Sequence, residues 1–397
     1  LESFISTILP FSSKGIRNKH CFLAFRLVYT LQFKNWNFAK IRALNFEPYS
    51  FAMCIKEHLM KTTLAALFLS FAFFCQGFSQ TFLFEQKSFN IICGEESELN
   101  RPEGIAFTPD GKYVAIANAD GNSITFYEFC GSNIPVFVLK GPETLLYYPH
   151  DISFSPNGEY LAVANRHGNV ATIYKKYEDG IAFNLNPISI ITNTSFHGIG
   201  AVAYSPSENI IALGDSYSNR VLIYSYTEEK YLKNPSCILR PHELCIADGL
   251  RFSPDGKFLG VTSHGNHSAL FFERKPNSQN LFSPKPVNII EGMDAFLKYP
   301  HSLAFHPTKD FLVISSAGGS GDVNFYQKEI KDERSYLSSP IQMLKILPED
   351  ISQAIERVYP EECGGKGVAF SPDGKVLGVC LPNIIGEDSI HFFREKQ

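Results

Sequence analysis

The chain has 397 residues, of which 19% are charged, and a formal net charge of −4. That length holds one large domain or two ordinary ones, and the modest charge excludes a nucleic-acid binder and a disordered polyelectrolyte tail. The 28 glycines and 23 prolines are common enough to punctuate many short elements.

Residues 1–59 begin with Leu1, carry an excess of Lys and Arg, and show no sustained apolar period. They read as a non-native upstream extension of the reading frame, with a basic organelle-targeting presequence as the alternative. Residues 60–79 explain the first reading. Met60-Lys61 is a short basic start, Leu64–Phe74 an apolar run, and Gly77-Phe78-Ser79 a small-x-small cleavage site. That is the anatomy of a secretory signal peptide. The run is too short for a bilayer, which takes roughly 20 residues. The mature protein is expected to start near Gln80, to be secreted or periplasmic, and to have no stable membrane insertion after cleavage. Six cysteines follow that point: Cys93, Cys130, Cys237, Cys245, Cys363 and Cys380. An oxidising compartment would let Cys237 and Cys245 close a small loop. No C-x-x-C pair offers a redox or zinc-ribbon motif.

Residues 80–397 form the folded domain. Gly104–Asn118 reads G-I-A-F-T-P-D-G-K-Y-V-A-I-A-N, two short apolar strands around a Pro-Asp-Gly turn. Proline presets the turn angle and glycine accepts positive φ. The pattern returns at Asp151–Asn165, Ala201–Asp215, Gly249–Ser263, Ser302–Ser316 and Gly367–Leu381. Its prolines, Pro109, Pro156, Pro206, Pro254, Pro307 and Pro372, are 47, 50, 48, 53 and 65 residues apart. Each unit continues into a third and a fourth strand, as in Ser123–Phe129 and Ile134–Leu139. Such a period made of strands and turns is the signature of a β-propeller. The prediction is all-β: six blades of four antiparallel strands, with seven blades as the alternative. The last unit stops after its third strand, Ser389–Arg394, and Phe89–Cys93 is expected to supply the outer strand and close the ring. Thr81–Glu85 reads as an extra strand or a lead-in, and Glu349–Val358 as a short helical insertion.

The S-P-D-G-K-x-L-x-V phrase at Ser253 and Ser371 resembles the WD-repeat-like and YVTN-type propellers of exported bacterial proteins, across roughly residues 81–397. The WD dipeptide itself is absent. Y-P-H-D-I-S-F-S-P at Tyr148–Pro156 and Y-P-H-S-L-A-F-H-P at Tyr299–Pro307 also resemble phrases of the lactonase-type propellers, which have seven blades and open sugar lactones.

Six residues before each turn proline stand Glu103, His150, Gly200, Asp248, His301 and Lys366. Innermost strands line the central channel, so these six should ring one mouth of it. Carboxylates and imidazoles together make a candidate ligand or ion site. Polar residues at solvated strand starts need no function, and a docking propeller would point them into bulk water. Nine residues after each proline come Asn118, Asn165, Asp215, Ser263, Ser316 and Leu381, of which Asn165 and Asp215 join the candidate ligand-binding set; ordering of their own loops is the plainer role. Arg166, His167, Tyr217, His264 and His267 lie in loops of the same face. The middle of the innermost strand is small in five units and Arg251 in the fourth, where it should reach into the channel or pair with a buried acid.

The sequence reading is an exported binding or scaffold propeller that engages a protein or peptide at the loop-rich mouth. It is expected to be monomeric and to have no cofactor and no nucleic-acid partner. The alternative is a lactonase-type hydrolase acting on a small molecule, a sugar lactone or ester. There His150 or His301 would be the base and Glu103 and Asp248 would polarise substrate or hold a divalent cation.

Overall fold

The computed structural model describes residues 83–396 apart from 179, 228–229, 277, 279–280, 319–321, 348–363 and 383–386. The expected extension, signal peptide and cleavage point lie outside the described residues, as do Cys363 and the Glu349–Val358 insertion.

Among the described residues, six antiparallel sheets follow one another along the chain. Blade one comprises Pro102–Phe107, Tyr113–Asn118, Ser123–Glu128 and Phe137–Leu139, paired in that order. Blade two runs from Pro149 to Thr192, blade three from Ile199 to Leu239, blade four from Ala247 to Ile290 and blade five from Pro300 to Leu344. Blade six pairs Val368–Phe370, Val376–Leu381 and Ser389–Arg394 with Asn90–Cys93 from the other end of the chain. Its register sets Asn90 opposite Phe392 and Cys93 opposite Ser389. The six-bladed expectation and its closure therefore hold, and the seven-bladed alternative does not.

The differences from expectation are local. The outer strand of blade one is shorter than read, because only Phe137–Leu139 finds a ladder partner. Blade three gains a two-residue strand, Lys230–Tyr231, on the end of its third strand. Of the Thr81–Glu85 segment, Phe84 forms a single bridge to Glu395 and is fully buried against Phe325 and Phe370. Cys237 and Cys245 are not joined to each other, so the small-loop disulfide is not formed.

Alternation along the strands gives each blade two apolar faces, and neighbouring blades bury them against each other. Between blades three and four, for instance, Ala203, Ile223 and Leu239 pack with Leu250, Leu259 and Phe272. Glycine is required where inner strands nearly touch. A Cβ on Gly104 would lie 2.9 Å from the His150 carbonyl oxygen, and one on Gly367 2.6 Å from that of Glu103.

A second device ties blades together. Residues two before the mouth positions adopt positive φ: Arg101, Tyr148, Gly198, Ile246 and Tyr299. Each backbone N–H donates to a side chain reaching over from the previous blade. The acceptors are Asp388 for Arg101, Asn122 for Tyr148, Asn169 for Gly198, Asn219 for Ile246 and the Nδ1 of His267 for Tyr299, at 2.6–3.0 Å.

Candidate functional site at the channel mouth

The mouth residues are aimed by irregular pairing. In blades one, two and three the ladder slips between Pro102 and Gly104, Pro149 and Asp151, and Ile199 and Ala201. Blades four and five slip at Ala247/Leu250 and Pro300/Leu303. A bulge leaves its extra residue unpaired and re-aims the side chain. Glu103, His150, Gly200, Asp248 and His301 are the residues released in this way.

Instead of projecting into bulk water, Glu103, His150, Asp248, His301 and Lys366 are all 2–3% exposed. His301 Nε2 lies 3.1 Å from Glu103 Oε2, and His150 Nε2 lies 3.9 Å from the same oxygen. Asp248 Oδ2 is 3.8 Å from His301 Nε2. The two imidazoles lie with ring centroids 4.8 Å apart. The tightest carboxylate–imidazole pair therefore joins blades one and five, not two consecutive blades.

Loop residues complete the cluster. Arg166 passes over Gly200, where a Cβ would come within 3.6 Å of its Nε, and donates to Asp248 Oδ1 at 2.5 Å. Its other terminal nitrogen donates to His150 Nε2 at 2.6 Å, and its guanidinium sits 5.3 Å from the Tyr217 ring centre. His264 Nδ1 lies 3.2 Å from Asp248 Oδ2. Arg101 Nε donates to Glu103 Oε1 at 2.9 Å.

Charge follows from these neighbours. Burial would raise Glu103, but the Lys366 ammonium and the imidazoles of His301 and His150 hold its carboxyl well below the usual range. Burial likewise opposes ionisation of Asp248, and Arg166, His264 and His301 overcome it. Burial, Arg166 and His301 push His150 down to about 3. It is a neutral imidazole whose Nδ1–H donates to the Gly200 carbonyl at 2.7 Å. Ionised carboxylates beside a neutral imidazole lone pair can accept a proton or coordinate a cation.

Asn165 and Asp215 turn elsewhere. Asn165 accepts from the Tyr147 N–H and donates to Thr172, and Asp215 accepts from the His197 N–H and from Arg220. Both stitch loops within their own blades. Arg251 pairs with Asp151, deeper in the channel. Sequence reasoning missed Asp151, although it is the one acid at its register, where the other units carry Gly104, Ala201, Gly249, Ser302 and Gly367. On the opposite face the channel opens as a cavity of about 450 Å³ rimmed by the six turn prolines and lined by Phe107, Phe154, Phe252 and Phe305.

The family model described as "Lactonase, 7-bladed beta-propeller" matches residues 82–181, which hold blade one and the three inner strands of blade two. No curated protein matches the chain. Among solved structures, a chain in a crystal structure of the mitotic checkpoint complex is similar at 12% identity and a TM-score of 0.51, over 79% of this chain and 93% of that one. The WD40 repeats of RRP9 align at 12% identity and 0.51, over 79% of this chain and 100% of theirs. U3-55K aligns at 12% and 0.51, over 77% and 98%. By its fold, the chain is a six-bladed, WD-repeat-like β-propeller.

Proposed function

We propose that this propeller is an exported binding protein that docks a protein or peptide partner on the face bearing the buried charged mouth. The mouth charges are buried, unlike the solvated ring expected of a docking propeller, so the reading is carried by the apolar rim of that face. Leu145, Tyr147, Tyr217, Met293 and Phe296, all from inter-blade connections or second-to-third-strand loops, are 48–95% exposed. Aromatic and Met side chains standing in water around a polar centre are what interface cores are made of. One similar structure is a chain of the mitotic checkpoint complex. Export rests on the signal-peptide pattern of residues 60–79.

The test is capture of a partner from culture medium or periplasmic extract by the wild type and by a Tyr147→Ser/Phe296→Ser variant. The expected result is a partner retained by the wild type and lost by the variant, with thermal unfolding unchanged. Equal capture by both would reject the face as the docking surface. N-terminal sequencing of natural protein should begin near Gln80.

A second reading, a lactonase-type hydrolase, is favoured by the 3.1 Å approach of His301 to Glu103 and by the family match over residues 82–181. There His301 would act as base beside an ionised Glu103. Sugar-lactone hydrolysis that disappears in His301→Ala, with partner capture intact, would favour the enzyme over the scaffold.

A further inference from the structure

We propose that Glu103 Oε2, His150 Nε2 and His301 Nε2 form a site for one divalent transition-metal cation of the zinc class, which clamps blades one, two and five at the channel mouth. One ligating atom from each of the three lies within 4.8 Å of the others, and all three residues are buried. Two imidazoles and a carboxylate suit zinc-class ions, whereas magnesium and calcium take all-oxygen sets.

The surrounding contacts are those of oriented ligands. His150 Nδ1–H donates to the Gly200 carbonyl at 2.7 Å, which fixes the tautomer that leaves Nε2 as a lone pair. Glu103 Oε1 is held by Arg101 at 2.9 Å, which turns Oε2 inward. Outer partners of this kind set ligand direction in metal sites. An independent observation concerns satisfaction. Glu103 Oε2 and both ring nitrogens of His301 are buried without a hydrogen bond of good geometry. Buried polar atoms are normally satisfied, and a coordinated cation would engage two of these three at once.

Arg166 is the competitor. Its guanidinium donates to His150 Nε2 at 2.6 Å, the lone pair a cation needs. It also holds Asp248 at 2.5 Å and lies by Tyr217, so it keeps a seat when it releases His150. Removing its positive charge should therefore tighten the site.

The experiment strips the purified protein with a chelator, then titrates Co²⁺ by visible absorption and Zn²⁺ by calorimetry and thermal unfolding. The expected result is one equivalent of Co²⁺ with d–d bands of a four- or five-coordinate site, and an upward Tm shift with Zn²⁺. His301→Gln and Glu103→Gln should each weaken affinity by more than about 100-fold. Arg166→Gln should strengthen it about tenfold, a change that misfolding would not produce. His242→Ala, at a side chain 86% exposed, should change nothing. Absence of stoichiometric Co²⁺ bands in the wild type, or a zinc-induced Tm shift of equal size in His301→Gln and Glu103→Gln, overturns the proposal. Partner capture and lactone turnover are read separately, so failure here leaves the docking reading standing.

Discussion

Arg251 of blade four and Asp151 of blade two, 100 residues apart, form a two-pronged ion pair inside the channel. Both terminal nitrogens of Arg251 donate to the carboxylate, each at 2.9 Å. Asp151 also accepts the N–H groups of Ile152 and Val202, so one carboxylate links blades two, three and four. The Arg251 side chain keeps 17% exposure to the channel and Asp151 keeps 7%.

Breaking this pair from one side leaves a buried charge without its partner. Arg251→Ala should cost stability at the lower end of about 3–5 kcal/mol, because the guanidinium is not fully desolvated. Arg251→Met with Asp151→Asn should recover much of that loss. Urea unfolding of the three proteins gives the answer; equal stability of the single variant and the wild type would show the pair to be inert.

The seam of the ring can be tested within one strand. Ile92 is 4% exposed and faces the blade-six core with Phe392 and Ile390, whereas its neighbour Ile91 is 39% exposed. Ile92→Ala should destabilise by about 2–5 kcal/mol. Ile91→Ala should stay within about 0.5 kcal/mol of the wild type. Similar effects at both positions would mean that the terminal strand does not close blade six as described.

His306 gives the fold a pH dependence. Its Nε2–H donates to the Gly374 carbonyl at 3.1 Å, and its Nδ1 accepts the N–H groups of Thr308 and Lys309. Burial pulls the imidazole below its ordinary value, and the Gly374 bond and Glu395 only partly offset this. The neutral form is therefore preferred in the folded state. Its stabilisation is complete above the unfolded value of about 6.5 and is lost as pH falls towards the depressed folded value, where the unfolded chain binds more protons. Four other blades place Ser155, Ser205, Ser253 and Ser371 at this position and one places Thr108. His306→Ser should flatten the fall of Tm on acidification without abolishing it, because His150 and His391 are depressed too. A thermal series across that range that superimposes on the wild type would rule out this role.

The sequence by itself determined the repeat, the blade count, the turns and the strand that closes the ring. Those features are local: a proline-glycine turn flanked by apolar alternation sets two strands wherever it occurs, and six copies with one missing edge leave a single way to close. It also placed Glu103, His150, Asp248 and His301 at one mouth, because a fixed offset from each turn fixes a position along the inner strand. Tertiary structure alone decided which of them meet. Glu103 and His301 are 198 positions apart in the chain and touch through the curvature of the ring, and the bulges that turn them inward depend on the neighbouring strand. The same holds for Arg166 reaching over Gly200 to Asp248, for Asp151 finding Arg251, and for Asn219 holding the N–H of Ile246. Each pairs groups from different blades, whose approach is set by the packing of one sheet on the next and leaves no period in the sequence.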